Sequence, residues 1–289
     1  MANPLHASHY ADQACHERVT VVENQQIAKE TFRVRFDCPS IAQQITPGQF
    51  LMVKLADMDD PLIGRPFALY DTADDENGNP RYVDVVYLVG GKMTQKFQHF
   101  RPGQPLNVWG PLGNGFTVQP TKHLVMVAGG IGQTPFLALA KEFLGKRTYG
   151  SRSCLSAERV SFCYGARTSE YLADVEKFEE IGVDVRISTD DGSAGHHGLV
   201  TELLSQLLDD ATEEVHVVCC GPEPMMEAVS KLSIDRGVSC QVSLETPMAC
   251  GIGICFSCVA KIGGPDDDWD FKRTCVEGPV FDAQHVCWD

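Results

Sequence analysis

The chain has 289 residues, 43% of them hydrophobic, and sets 24 Lys and Arg against 39 Asp and Glu for a formal net charge of −15. That length suits two or three domains, and acidity without a basic run excludes a surface built to neutralise nucleic-acid phosphates. With no basic-then-apolar leader and no stretch of ~18 apolar residues, neither a signal peptide nor a membrane helix is expected, and a reducing, cytoplasmic setting is.

The first segment, residues 1–118, carries short β-prone runs from residue 17 onward, at 18–22, 31–37, 50–55, 82–88 and 106–109. Pro47-Gly48, Asn77-Gly78-Asn79-Pro80, Pro102-Gly103 and Gly113-Asn114-Gly115 punctuate them. Many short strands with such turns predict a closed antiparallel β-barrel. A short helix is expected over 94–100. Arg65-Pro66-Phe67-Ala68-Leu69 sets an arginine beside a rigid proline. Its fork suits a pyrophosphate, and a salt-bridged surface arginine is the plainer alternative.

Residues 119–238 change rhythm. The apolar run 123–128 is that of a strand buried on both faces, with further strands expected at 160–164, 183–188 and 215–219. Helical stretches are expected at 135–144, 171–180, 199–208 and 224–236. Alternating strands and helices predict a doubly wound parallel α/β sheet. The polar piece 145–158 reads as a surface loop. Gly129-Gly130-Ile131-Gly132-Gln133-Thr134-Pro135 joins the first strand to a helix, and Cys220-Gly221-Pro222 does the same after the last strand. Each can be only a tight turn. Two such turns at strand C-terminal ends mark the place where doubly wound sheets bind nucleotides.

Residues 239–289 are rich in cysteine and glycine and lack periodicity, so this small segment needs a staple. Cys250, Cys255 and Cys258, followed by Cys275, have the spacing C-x4-C-x2-C…C of plant-type [2Fe–2S] proteins. Gly251 and Gly253 supply the left-handed backbone that a tight ligand loop requires. A zinc site is the competing reading, and it more often shows paired C-x2-C motifs or added histidines.

Arg65-Pro66-Phe67, Gly129-Gly130-Ile131-Gly132, Cys220-Gly221-Pro222 and the cysteine loop, in that order, resemble the ferredoxin–NADP reductase superfamily. The resemblance is closer to the electron transfer subunits of dihydroorotate dehydrogenase B, through Thr189-Asp190-Asp191-Gly192-Ser193, Glu223-Pro224-Met225-Met226, Ser243-Leu244-Glu245, Met248-Ala249-Cys250-Gly251 and Gly278-Pro279-Val280-Phe281. It covers nearly the whole chain beyond residue 17.

The resemblance implies an FAD barrel (1–118), an NAD domain (119–238) and a [2Fe–2S] domain (239–289). It implies that Arg65, Pro66, Phe67, Ala68 and Leu69, with Gly90, Gly91 and Thr94, hold FAD. Gly129, Gly130, Gly132, Thr134, Pro135, Asp190, Cys220, Gly221 and Pro222 would face NAD, while Cys250, Cys255, Cys258 and Cys275 would ligate the cluster. The expected electron path runs from the FMN of a dihydroorotate-oxidising partner subunit in a hetero-oligomer, through the cluster and FAD, to NAD+, in pyrimidine biosynthesis. No general acid or base is expected in this chain. Ile252, Ile254 and Phe256 are candidates for the partner contact or for packing of the loop itself, and Asp266-Asp267-Asp268 for electrostatic steering or a solvated loop. Ala68 stands where the family usually has a hydroxyl, Met93 where glycine is common, and the 145–158 loop is long. A stand-alone NAD(P)H reductase for another acceptor and a redox-sensing module are the rival functions.

Overall fold

The computed structural model describes residues 11–153, 156–264 and 268–288. The first sheet comprises β1 (Cys15–Ala28), β2 (Thr31–Asp37), β3 (Phe50–Leu55), β4 (Arg65–Ala68), β5 (Asp71–Asp74), β6 (Pro80–Leu88) and β7 (Pro105–Leu112), with α1 (Pro39–Ala42) and α2 (Lys92–Phe97) in its connections. Its order is β4-β3-β7-β1-β2-β6-β5, with every neighbouring pair antiparallel. The two edge strands are consecutive in the chain, joined only by Leu69 and Tyr70. The sheet therefore curls until its edges meet, and that link is the seam of the barrel. β4 and β5, four residues each, are too short for a period of two to show in the sequence.

The second unit contains β8 (His123–Gly129), α3 (Phe136–Phe143), β9 (Arg159–Ala166), α4 (Val175–Glu180), β10 (Asp184–Thr189), β11 (His196–His197), α5 (Val200–Asp210), β12 (Val215–Cys220), α6 (Glu223–Asp235) and β13 (Ser239–Ser243). β14 (Val259–Gly263) pairs with β15 (Trp269–Arg273), and β16 (Val280–Asp282) follows. The second sheet runs β11-β10-β9-β8-β12-β13-β16, parallel except for β16. Its doubly wound character is written into β8. Leu124, Met126 and Ala128 pack with Phe136, Leu139 and Phe178 on one face. Val125 and Val127 pack with Leu204, Leu207, Met226 and Val229 on the other. A continuous apolar run is thus the record of two buried faces.

Two expectations change and one is refined. Ser239–Ser243 extends the parallel sheet beside β12, and Val280–Asp282 returns to cover it, so both pieces assigned to the third segment belong to the second sheet. A five-residue strand lying just before a cysteine-rich loop carries too little pattern to be separated from it. The described residues of the 145–158 piece form a largely exposed loop, as expected, but one anchored at Tyr149. Its Tyr149 is 1% exposed within the barrel's own hydrophobic core. The Tyr149 hydroxyl donates to Asp71 at 2.7 Å, and Arg147 pairs with Asp74. Polarity hid the anchor, because the Tyr149 and Asp71 side chains are buried as a pair. The helix expected over 171–180 shortens to Val175–Glu180, since Asp174 adopts a left-handed φ of 53°.

Candidate functional site

β8 and β12 are neighbours, but the chain leaves them toward opposite edges of the sheet. A crevice therefore opens at their C-terminal ends. Gly132 lets the two turns touch, since a Cβ there would lie 2.3 Å from the Cys220 carbonyl oxygen. Gly129 packs in the same way against Pro222 and Met225. The crevice is a cavity of about 600 Å³ lined by Gly129, Gly130, Gly221 and Pro222, by Asp190 and Arg167, and by Glu30 from the barrel. Arg167 has no ion pair among the described residues. Ser188 also lines this cavity, and its buried hydroxyl has no partner among the described residues. A buried orphan hydroxyl calls for a polar ligand, so the crevice fits a nucleotide.

A second cavity of about 310 Å³ lies beside it, walled by Pro66, Phe67 and Ala68 of β4, Tyr87 of β6, Thr134 and Cys220 of the α/β unit, and Met248 and Pro279 of the C-terminal segment. Leu88, Ile131 and Glu245 line both cavities, so the two adjoin and share a wall. Arg65 stands at the start of β4, its guanidinium exposed and donating to the carbonyls of Ile63 and Gly64 at 3.0 Å each. Among the described residues it has no carboxylate partner, so the surface salt bridge is not what holds it. An oriented arginine without a counter-charge beside an aromatic-walled cavity fits a flavin pyrophosphate.

The remaining predicted residues divide. Leu69 is fully buried in the barrel core. Gly90 and Gly91 donate their amides to the Thr94 hydroxyl at 3.1 Å each, and none of the three lines either cavity. Pro135 precedes α3 and lines neither. Cys220 is held as a neutral thiol, because burial pushes it above the ordinary range. Glu245, which the sequence marked only as part of a family motif, is the residue it undervalued. It faces the open cleft, yet the surrounding protein pushes its carboxyl above the usual range through desolvation.

The cysteine loop sits on the barrel. Gly251 and Gly253 have φ of 73° and 80°, and Phe256 has φ of 56°. Gly251 has no room for a Cβ, which would lie 2.6 Å from Met52 Cγ. Cys258, Cys275 and Val276 share an apolar cluster with Phe50, Met52 and Leu112, against which Trp109, Met248 and Ile252 pack. Cys258 and Cys275 lie 3.2 Å apart, sulfur to sulfur. Sharing a proton lowers Cys258 to about 6 and raises Cys275, as in any coupled pair of acids. Cys255, exposed, is lowered to about 6, chiefly by Ser257, with Cys250 a smaller contributor. Among the described residues, no three acidic, histidine or cysteine side chains converge as on a single ion. Two pairs of neighbouring cysteines, Cys258 with Cys275 and Cys255 with Cys250, suit a two-iron cluster of four thiolates.

Residues 18–116 match the oxidoreductase FAD-binding domain family, 126–231 the oxidoreductase NAD-binding domain family, and 245–287 the iron–sulfur cluster binding domain of dihydroorotate dehydrogenase B. The chain is 34% identical over 270 residues to the dihydroorotate dehydrogenase B (NAD(+)) electron transfer subunit of Caldanaerobacter subterraneus, covering 93% of this chain and 97% of that protein. The Clostridium acetobutylicum protein of the same name is 37% identical over 240 residues, 82% of this chain and 85% of that protein. In structure the chain is similar to the NADH-dependent reduced ferredoxin–NADP oxidoreductase studied for flavin-based electron bifurcation, with TM-score 0.78 and 28% identity over 94% of this chain and 90% of that one. Aligned almost end to end with such relatives, and with its three modules in the same order, the chain belongs to the family of dihydroorotate dehydrogenase B electron transfer subunits.

Proposed function

We propose that this chain carries electrons between NAD and a dihydroorotate-oxidising, FMN-containing partner subunit, through its own FAD and [2Fe–2S] cluster. The flavin exchanges hydride with nicotinamide and single electrons with the cluster, so its site must lie between the other two. The observation that carries the reading is Met248. It lines the flavin-sized cavity and also packs on the cluster that contains Cys258 and Cys275, two residues before Cys250. The same cavity shares Ile131 and Glu245 with the wall of the nucleotide crevice. These shared walls support a flavin site set between the nucleotide and cluster sites.

This chain's residues bind and orient. Arg65 holds the flavin pyrophosphate, Phe67 and Tyr87 wall the ring site, and the neutral Cys220 thiol closes it with an apolar surface. Asp190 faces the nucleotide, and Cys250, Cys255, Cys258 and Cys275 hold the cluster. The partner covers the cluster loop. Ile254 and Phe256 are 67% and 62% exposed, whereas Ile252 packs within the loop's own cluster. Trp269 and Phe271 of β15 add to the exposed apolar face. Asp266 and Asp267 lie outside the described residues. Among the described residues no helix is long and apolar enough to cross a membrane. The described cysteines are free thiols, as a reducing compartment would keep them. The similarity to the ferredoxin–NADP oxidoreductase favours a second reading, in which the partner is another one-electron carrier.

The test mixes this chain with its cognate FMN subunit. Co-elution and dihydroorotate-dependent formation of NADH are expected, while the chain alone reduces dyes with NADH and does not oxidise dihydroorotate. Separate elution with no coupled NADH rejects the partner and leaves the reductase.

A further inference from the structure

Trp109 lies on β7, in register with His16 of β1 and Met52 of β3. One end of its indole faces the cluster loop, where Nε1–H donates to the Cys250 carbonyl at 2.9 Å. The other end faces the flavin-anchoring loop. A Cβ on Gly64 would lie 2.7 Å from Trp109 Cη2, a separation that real structures do not show. Gly64 is the residue before Arg65, and its carbonyl accepts from the Arg65 guanidinium at 3.0 Å. One rigid ring, with only two rotatable side-chain bonds, therefore touches residues 64 and 250, which are far apart in sequence. His16 flanks the ring with centroids 6.0 Å apart, and the apolar group around Met52 and Leu112 packs against it. The ring cannot move away from one loop without moving toward or away from the other.

We propose that Trp109 is a positioning residue that couples the flavin-anchoring loop to the cluster loop. This rests on reading Arg65 as the flavin's pyrophosphate anchor and Cys250 as a cluster ligand. The N–H fixes the Cys250 carbonyl, and with it the turn in which the Ile252 amide donates to the Cys250 sulfur at 3.4 Å. The benzo edge sets how close the Gly64 backbone lies to β7, and so where Arg65 begins. Disorder at either loop is transmitted to the other.

The test uses purified, cofactor-loaded protein and two readouts, release of iron to a chelator and release of FAD on dilution, with the cluster's midpoint potential as a third. Trp109→Phe keeps an aromatic ring but loses the N–H and the outer ring. It should speed iron release about fivefold, the worth of one neutral hydrogen bond, and shift the midpoint to more negative values, since a loosened turn weakens the Ile252 amide's bond to the Cys250 sulfur, which favours the added electron. Gly64→Ala should speed both FAD and iron release about tenfold through overpacking, although residue 64 touches no cysteine. Combining the two substitutions removes the Cη2 atom in the way, so FAD release should return to that of Trp109→Phe alone. Wild-type iron release in both single variants, or FAD release in Gly64→Ala that Trp109→Phe does not relieve, overturns the coupling. Cys250→Ser and Arg65→Ala separate the layers. A normal cluster spectrum in the first, or unchanged FAD release in the second, shows that the ligand or anchor reading has failed. Loss of cluster and of FAD in these, with no effect of Trp109→Phe, shows that the coupling alone has failed.

Discussion

Replacing Arg65 with alanine tests the flavin site most directly. The guanidinium donates to the Ile63 and Gly64 carbonyls and has no carboxylate partner among the described residues, so removing it leaves no orphaned charge. What is lost toward FAD is at least one charge-assisted hydrogen bond, about 1.5–3 kcal/mol. At 1.36 kcal/mol per decade, that weakens FAD binding about 10- to 150-fold. Ile63 is exposed and its carbonyl regains water, while the carbonyl of buried Gly64 loses one hydrogen bond, so the FAD-free protein should lose only about 1–2 kcal/mol of stability. Arg65→Lys keeps the charge without the fork and should fall between the two. The assay is FAD titration of deflavinated protein by quenching of flavin fluorescence, with a melting curve of the same sample. Equal FAD affinity in wild type and Arg65→Ala refutes the assignment. A large drop in melting temperature without FAD would attribute the effect to the loop and not to the phosphate.

Cys255→Ser should bleach the visible cluster spectrum and leave flavin bound. Wild-type protein should carry two irons per chain, and stoichiometric zinc without acid-labile sulfide would count against the cluster. NADH should be used more efficiently than NADPH, because the Asp190 carboxylate in the crevice repels a 2′-phosphate, and Asp190→Asn should narrow the gap. Equal efficiency with NADPH would instead give Arg167, in the same crevice, the phosphate. His216 is buried, its Nδ1 2.7 Å from the Gln119 amide, and burial lowers its pKa from 6.5 to about 4. A lowered folded pKa means stability fully present above 6.5 and lost as pH falls toward 4, about 2 kcal/mol by pH 5. Urea midpoints at pH 7 and pH 5 should differ less in His216→Gln, and an unchanged difference would remove His216 from the account.

The parts of this molecule legible in its sequence are those set by local chemistry. Cysteine spacing marked the cluster loop because four thiolates on a small object constrain spacing. The run 123–128 marked a doubly covered strand because both faces of β8 are buried. What escaped is set by distant partners. Tyr149 reads as polar and exposed until Asp71, from another domain, receives its hydroxyl. Glu245 gains its place from two cavities that meet only after three segments pack. Gly90, Gly91 and Thr94 show the opposite effect. A glycine-rich turn that resembles a flavin contact closes on itself, through the Thr94 hydroxyl. Their part in holding FAD stays a proposal.

The contacts between modules cluster beside the sites and not at random. Lys29 donates its amide to Glu170 at 2.8 Å, next to Glu30 in the nucleotide crevice. Tyr70 donates to Asp174 at 2.6 Å, two residues after Ala68 in the flavin cavity. The Asn114 amide donates to the Val280 carbonyl at 2.7 Å, and its oxygen accepts from the Val280 amide at 3.1 Å, beside Pro279 in that same cavity. Each contact is a single hydrogen bond or hydrogen-bonded pair, worth about 1 kcal/mol per bond net. Their value is positional. In the proposed relay, these clamps hold the walls of the nucleotide crevice and of the flavin cavity at fixed separation. That arrangement needs no swinging domain within the chain. The cluster loop exposes Cys255 while Cys258 and Cys275 are buried, so the proposed partner would meet the relay on the face carrying Cys255, Ile254 and Phe256.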